Sequence, residues 1–360
     1  MAITDIKKLR DILELEIQSS SNVFIIGHNK PDFDAIGSAM GLSYISKFYS
    51  KESYIIIDDS INSLQSGVKK LIDDNRVKYN FIKKRDINKY IDNNSILIVT
   101  DVNKSDMISI PGKLKDFKSI IIIDHHSENE NTIKTQNKFI SMEVSSASEV
   151  VGRILNSLKI KYDSSVATAL LSGIALDTKR FKQNTSSKTH DIAEKLINNG
   201  ADIDEVNSLF LEEFDSYCRI SNLIINGTII EKYSESLLAP IQVSFTLNRN
   251  EPKKIYHTED YAKAADQMMT FYGVDASFTM GYVNNKEIHI SARGNKKVDV
   301  SKIMDAMGGG GNPQCAGCKL EADDIFQIEE LLKGKISLGI SSEENISEEP
   351  TVIKVKRIKK

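Results

Sequence analysis

No apolar run in the 360-residue chain approaches the roughly 18 residues that a membrane-spanning helix needs, so no part of it is read as crossing a bilayer. The start, Met1-Ala2-Ile3-Thr4-Asp5, lacks both a basic leader and an apolar signal region. Three cysteines in this length cannot build a disulfide framework, and a reducing cytoplasmic setting is expected. Positive charge is not in excess either: 47 Lys and Arg against 50 Asp and Glu leave a formal charge of -3. That balance excludes a protein that tracks long nucleic acid through many phosphate contacts and leaves room for a small anionic partner. Neither a Gly-x-x-x-x-Gly-Lys-Ser/Thr loop nor a Gly-x-Ser-x-Gly elbow occurs, so P-loop and serine-hydrolase chemistry lack their first requirement.

What is present is an ordinary globular composition, 40% hydrophobic and 27% charged, in a length beyond the roughly 100–200 residues of one domain; two domains are expected. Four short apolar runs, residues 23–26, 96–99, 120–123 and 170–176, each lead to acidic or histidine residues. They precede Gly27-His28-Asn29-Lys30-Pro31-Asp32-Phe33-Asp34, Thr100-Asp101, Asp124-His125-His126 and Asp177. Four carboxylates and two neutral imidazoles carry a formal charge that two divalent cations just neutralise. Oxygen and imidazole donors without thiolate suit manganese, magnesium, iron or cobalt more than a structural zinc. The set points to two-metal hydrolysis of a phosphate ester.

Periodicity places these residues. Apolar positions at helical spacing over 6–17 predict a lead-in helix, and the run 23–26 reads as a buried parallel strand followed by a helix over 35–44. Runs at 54–57, 96–99 and 120–123 repeat the strand, which describes an α/β domain around a mainly parallel sheet flanked by helices. Ligands of such sheets sit beyond the carboxyl ends of the strands, where His28, Asp101 and Asp124 to His126 fall. Residues 146–158, 165–176 and 189–199 read as helices, the last stopped by Gly200. Residues 206–226 read as a helical linker. Strands at 237–247, 276–282 and 287–292, with a helix at 261–271, predict a smaller α+β domain. The expected boundaries are 1–205, 206–226, 227–338 and a disordered tail at 339–360, whose Glu-rich then Lys-rich sequence buries little.

Each residue also has a plainer reading. A lone Asp32 or Asp34 would cap the following helix, since carboxylates favour helix N-termini. Capping gives no reason for three of the six histidines to gather in these loops, which favours the metal reading. Asp58 and Asp59 follow a strand without a histidine partner and serve as a control; they are assigned to the surface. Asp177 alone would be an ordinary solvent carboxylate. Gly308-Gly309-Gly310-Gly311-Asn312-Pro313 offers bare backbone N–H groups to an anion, or is a flexible turn. Arg293, ending a strand, has the planar fork that matches phosphate oxygens. Cys315-Ala316-Gly317-Cys318 has redox spacing without further ligands nearby and is expected to be buried and inert.

The pattern Gly-His-x-x-Pro-Asp-x-Asp-Ala-Ile-Gly-Ser, a strand-end Asp, Ile-Asp-His-His and the late glycine run resembles the DHH phosphoesterases with a DHH-associated C-terminal domain, over residues 23–320. Within that family, Gly27 to Gly37, Ser145-Ser146-Ala147-Ser148-Glu149, Leu176-Asp177-Thr178-Lys179 and Ile290-Ser291-Ala292-Arg293 are most similar to bacterial cyclic-di-AMP phosphodiesterases. The resemblance implies a manganese-dependent enzyme that hydrolyses cyclic-di-AMP to pApA, and further to AMP in some cases, with its active site in the cleft between two domains. It implies two divalent ions: His28 and Asp32 on one, Asp34, His125 and Asp177 on the other, Asp101 on both. His126 would face the substrate and Asp124 would orient a histidine. Gly308, Gly309, Gly310, Gly311, Asn312 and Arg293 would hold the nucleotide. Relatives that act as nanoRNases or pAp phosphatases on short linear oligonucleotides are the alternative, and a non-catalytic dinucleotide sensor a second. Asn312 departs from the histidine usual after the glycines, which bears on affinity. Membrane-anchored relatives carry transmembrane and sensory parts ahead of this unit, so the chain is expected to be a minimal enzyme or an excised fragment. Whether it forms a homodimer is left open.

Overall fold

The computed structural model describes residues 5–58, 64–232, 241–248, 256–284, 286–322, 324–340 and 354–357, and divides into two compact units, Met1–Leu211 and Glu212–Lys360. The first contains α1 (Ile6–Ser19), β1 (Asn22–Ile26), α2 (Phe33–Phe48), β2 (Glu52–Ile57), α3 (Ser66–Asn75), β3 (Asn80–Lys83), β4 (Ile96–Thr100), β5 (Ser119–Asp124), β6 (Asn137–Ile140), α4 (Ala147–Ser157), α5 (Ser164–Asp177), α6 (Ser187–Asn198) and α7 (Ile203–Leu209). Its six strands are all parallel, in the order β3-β2-β1-β4-β5-β6. The order reverses between β1 and β4, the switch point at which such sheets open a crevice at their carboxyl ends. Every residue of β4 is buried, as expected for a strand covered on both faces.

The two faces are covered differently. Val23, Ile25, Ile96, Ile98, Ile121 and Ile123 pack with apolar side chains of all seven helices. Their neighbours Phe24, Ile26, Leu97, Val99 and Ile122 pack instead against Ile87, Val102, Ile108, Ile110 and Phe117 from short 3₁₀ turns and loops. Alternation along each strand, with both sets apolar, accounts for the unbroken runs in the sequence. Strands β3 and β6, which the periodicity missed, are four-residue edge strands only partly buried, and so carry no apolar run.

The second unit contains α8 (Phe214–Ile225), β7 (Thr228–Lys232), β8 (Ile241–Asn248), α9 (Thr258–Met268), β9 (Val274–Tyr282), β10 (Glu287–Gly294), α10 (Val300–Asp305), β11 (Gly310–Asn312), β12 (Cys315–Glu321), α11 (Ile325–Lys335) and β13 (Lys354–Arg357). Its sheet runs β11-β12-β10-β9-β8-β7-β13, antiparallel except for the parallel pair β8 and β9. The start of the strand expected at 237–247 lies outside the described residues. Two expectations are corrected. Residues 354–357, placed in a disordered tail, pair antiparallel with β7, because edge pairing uses backbone groups and needs no apolar side chains. Cys318 is buried as expected, but Cys315 is exposed: an offset of three along β12 points the two thiols to opposite faces. Among the described residues no helix is long and apolar enough to cross a membrane.

Candidate metal centre

The structure brings together His28, Asp32, Asp34, Asp101, Asp124, His125, His126 and Asp177. Three overlapping groups have ligand atoms within 4.8 Å of one another: His28, Asp32 and Asp101; Asp34, Asp101, His125 and Asp177; and Asp101, Asp124, His125 and His126. Asp101 belongs to all three. It follows β4 with φ +58, a left-handed conformation that short polar residues tolerate and that costs of order 1–3 kcal/mol for most side chains. Its N–H bonds to Ile123 O of β5 at 3.0 Å, which continues the sheet to this last position. The carboxylate divides between neighbours: Oδ2 lies 3.5 Å from His28 Nε2, and Oδ1 lies 3.2 Å from His125 Nε2. His125 Nε2 also faces Asp177 Oδ2 at 3.2 Å and Asp34 Oδ2 at 3.8 Å.

Capping and ligation coexist here. Asp32 Oδ1 accepts the N–H groups of Asp34 and Ala35 as the N-cap of α2, while its Oδ2 lies 3.7 Å from His28 Nε2. Asp124, fully buried, turns one oxygen on the histidine pair. Oδ1 accepts the His125 and His126 N–H groups and sits 2.9 Å from His126 Nδ1, which leaves His126 Nε2 available on a half-exposed ring. Asp124 Oδ2 accepts Nδ2 of the buried Asn103 at 2.6 Å. Asn103 was missed in the sequence; its place two residues after Asp101 at a strand end is the only signal that could have found it. The control holds for Asp58, which pairs with Lys84 at 2.9 Å, whereas Asp59 lies outside the described residues.

The electrostatics are those of a cation site. Burial opposes charge on His28, yet Asp101 and Asp32 outweigh it and raise its pKa to about 10. Burial likewise opposes charge on His125, and Asp101 with Asp177 raises it to about 12. Burial pushes the Asp177 carboxyl up to about 6, with His125 pulling against it. Burial, then the Asp101 and Asp177 charges, push Asp34 well above the carboxylate range. Asp101 is held below that range, because its attraction to the two histidines overcomes burial. Buried carboxylates facing one another attract protons or cations. Asp101 Oδ1, His125 Nε2 and Asp177 Oδ2 are buried without a hydrogen-bond partner, which a native fold rarely leaves uncompensated. These orphaned atoms and their oxygen and imidazole chemistry fit hard divalent ions.

The residues expected to hold a nucleotide lie in the second unit, where Arg293, Cys315 and Asn312 oppose one another across β10, β12 and β11. The Arg293 fork is occupied: Nε and Nη2 pair with Asp266 at 3.0 and 3.1 Å. The N–H groups of Gly308 and Gly309 close α10 on Asp305 O and Met304 O. Asn312 Oδ1 accepts the N–H groups of Gln314 and Cys315 across a tight turn.

Residues 22–174 match the DHH family, N-terminal domain, and residues 239–337 match the DHHA1 domain. The cyclic-di-AMP phosphodiesterase GdpP of Bacillus subtilis is 31% identical over 329 residues, 89% of this chain and 48% of that protein, so the chain spans about half the length of this relative. The bifunctional oligoribonuclease and PAP phosphatase NrnA of Thermus thermophilus is 22% identical over 90% of this chain and 92% of its own length. An exopolyphosphatase-related protein from Bacteroides fragilis has a similar fold, with a TM-score of 0.71 at 19% identity, covering 92% of this chain and 97% of that one. With the first unit assembling the acidic and histidine cluster and the second following it in the chain, the chain contains a DHH N-terminal domain over residues 22–174 and a DHHA1 domain over residues 239–337.

Proposed function

We propose that the chain is a divalent-metal-dependent phosphodiesterase that hydrolyses cyclic-di-AMP to pApA, with manganese as the working ion. The observation that carries this reading is the group of orphaned donor atoms on Asp101, His125 and Asp177 at the carboxyl edge of the sheet. His28 and Asp32 would hold one ion, Asp34, His125 and Asp177 the other, and Asp101, with an oxygen toward each histidine, would serve both. When bound, such ions polarise phosphoryl oxygens and lower the pKa of the attacking water. The hydrogen bond to Asp124 raises the pKa of His126 against the opposing effect of burial, which favours the proton-carrying form that a general acid needs. His126 then presents Nε2–H to the leaving ribose oxygen as general acid. Asn103 holds Asp124, and through it the ring of His126. The 31% identity to GdpP supports the cyclic substrate.

A second reading has a specific observation behind it: NrnA matches over 92% of its own length, and its name assigns it oligoribonuclease and PAP phosphatase activity. Turnover of cyclic-di-AMP, pApA and pAp, each with manganese, separates the two. Cleavage of the ring is expected, and a chain that cuts only the linear compounds overturns the first reading. Tight binding of cyclic-di-AMP without hydrolysis would make it a sensor instead.

A further inference from the structure

Ser145-Ser146-Ala147-Ser148-Glu149 has no part in the reaction above, yet it adjoins the metal centre. Both oxygens of the fully buried Asp34 carboxylate accept backbone N–H groups from the first turn of α4: Ala147 N–H reaches Oδ2 and Ser148 N–H reaches Oδ1, each at 2.7 Å. These are N–H groups that a helix leaves without internal partners, at its positive end. With one N–H on each oxygen, they fix the orientation of the Asp34 carboxylate. The fit is tight. A Cβ at Gly173 of α5 would lie 2.3 Å from Ser148 Oγ and 2.8 Å from Asp34 Oδ1.

Glu149 fixes where this turn sits. It is 1% exposed, and its Oε2 accepts Ser145 N–H at 3.0 Å, the Ser145 hydroxyl at 2.7 Å and the Thr189 hydroxyl at 2.9 Å, while Oε1 faces Arg153 Nη1 at 3.3 Å. Ser145 precedes the N-cap Ser146, and Thr189 lies in the first turn of α6. One buried carboxylate thus ties the entry of α4 to α4 itself and to α6. It reaches the centre through the first turn of α4, whose Ala147 and Ser148 N–H groups hold the Asp34 carboxylate and whose Ser148 hydroxyl donates to Asp34 O at 3.3 Å.

We propose that Glu149 is a positioning residue for the cation held by Asp34, His125 and Asp177: by locking the first turn of α4 it keeps the Asp34 carboxylate oriented, and so sets the affinity for that ion. This rests on the two-ion reading above. The test is manganese titrated into the metal-free full chain, followed by calorimetry and by the electron paramagnetic resonance of free manganese. Two sites are expected in the unaltered chain. Glu149→Gln, which keeps the shape, should weaken one of them by about 10- to 100-fold, as loss of a supporting partner does, and leave the other unchanged. Activity should return as manganese is raised. Ser145→Ala, which removes one donor, should weaken the same site by less. A folded Glu149→Gln chain with a lower melting temperature and both affinities unchanged would overturn the inference. Should Glu149→Gln fail to fold, unchanged affinity in both Ser145→Ala and Thr189→Val overturns it equally. An unaltered chain that binds no manganese sinks the two-ion reading itself, a result distinct from either.

Discussion

The two units treat the residues singled out from the sequence in opposite ways. In the first, parallel strands end at one edge, and the side chains there face one another with buried atoms unsatisfied. In the second, the residues expected to meet substrate are already bonded within the unit: Arg293 to Asp266, Gly308 and Gly309 to α10, Asn312 to its own turn. A carboxylate cluster without partners is stable only with a cation or protons, whereas a satisfied fork is stable alone and exchanges partners on binding. On the proposed reading the first unit would carry the chemistry and the second the recognition, and that division can be broken at either end.

The largest effect is expected at Asp101. Asp101→Asn keeps a side chain that tolerates φ +58 but removes the charge from the position shared by all three groups. Loss of several kcal/mol of transition-state stabilisation corresponds to on the order of 1,000-fold in kcat. Steady-state rates in manganese check it, with circular dichroism showing an intact fold. Near-normal turnover would mean that the shared carboxylate is misassigned.

The paired prediction lies in the second unit. Arg293→Lys loses the bidentate pair to Asp266 and any bidentate grip on phosphate. If that unit only recognises, KM should rise by about tenfold, the worth of roughly 1.4 kcal/mol of binding, with kcat little changed. A fall in kcat comparable with that of Asp101→Asn would erase the contrast between the units.

How much of this was legible follows the same division. Strands β1, β4 and β5 are buried on both faces, so each appears as an unbroken apolar run and the residue after it stands out. The acidic and histidine cluster could be picked out because residues of one kind recur after β1, β4 and β5. The supports could not. Ala147 and Ser148 meet Asp34 across 113 and 114 residues through backbone groups that no side chain advertises. Asn103 is one polar residue among many in a loop. In the second unit β12 alternates buried Ala316 and Cys318 with exposed Cys315 and Lys319, but with Gly317 and no β-branched or aromatic residue its composition does not mark it as a strand.

The pH dependence of the metal-free protein sharpens the comparison further. Histidines whose folded pKa is raised from about 6.5 contribute stability that is complete below pH 6.5 and is lost as pH rises through the folded value. For His28 that window runs from 6.5 to about 10, and for His125 to about 12. Asp177, raised to about 6, has the same sign between its unfolded value near 3.9 and 6, because the folded state binds the extra proton. The metal-free first unit should therefore melt lower as pH goes from 6 to 9, by roughly 2–4 °C per kcal/mol lost. Manganese, which replaces those protons, should flatten or reverse the slope. A melt independent of pH without metal would mean that the histidines are not held by the carboxylates.

The smallest effect is expected at Asn312, where two roles compete. Its Oδ1 caps the N–H groups of Gln314 at 3.0 Å and Cys315 at 2.8 Å, so removing it in Asn312→Ala should cost about 0.5–1.5 kcal/mol, read as a lower melting temperature of the second unit. Asn312→His keeps one ring nitrogen that can accept a single N–H and adds a group able to carry positive charge. If the position also meets phosphate, KM for the dinucleotide should fall in Asn312→His even as the melting temperature drops slightly, because the charge acts only on bound substrate and the turn only on the fold. A lower melting temperature with unchanged KM in both variants would confine Asn312 to its turn, and the proposed recognition by the second unit would then lose this position.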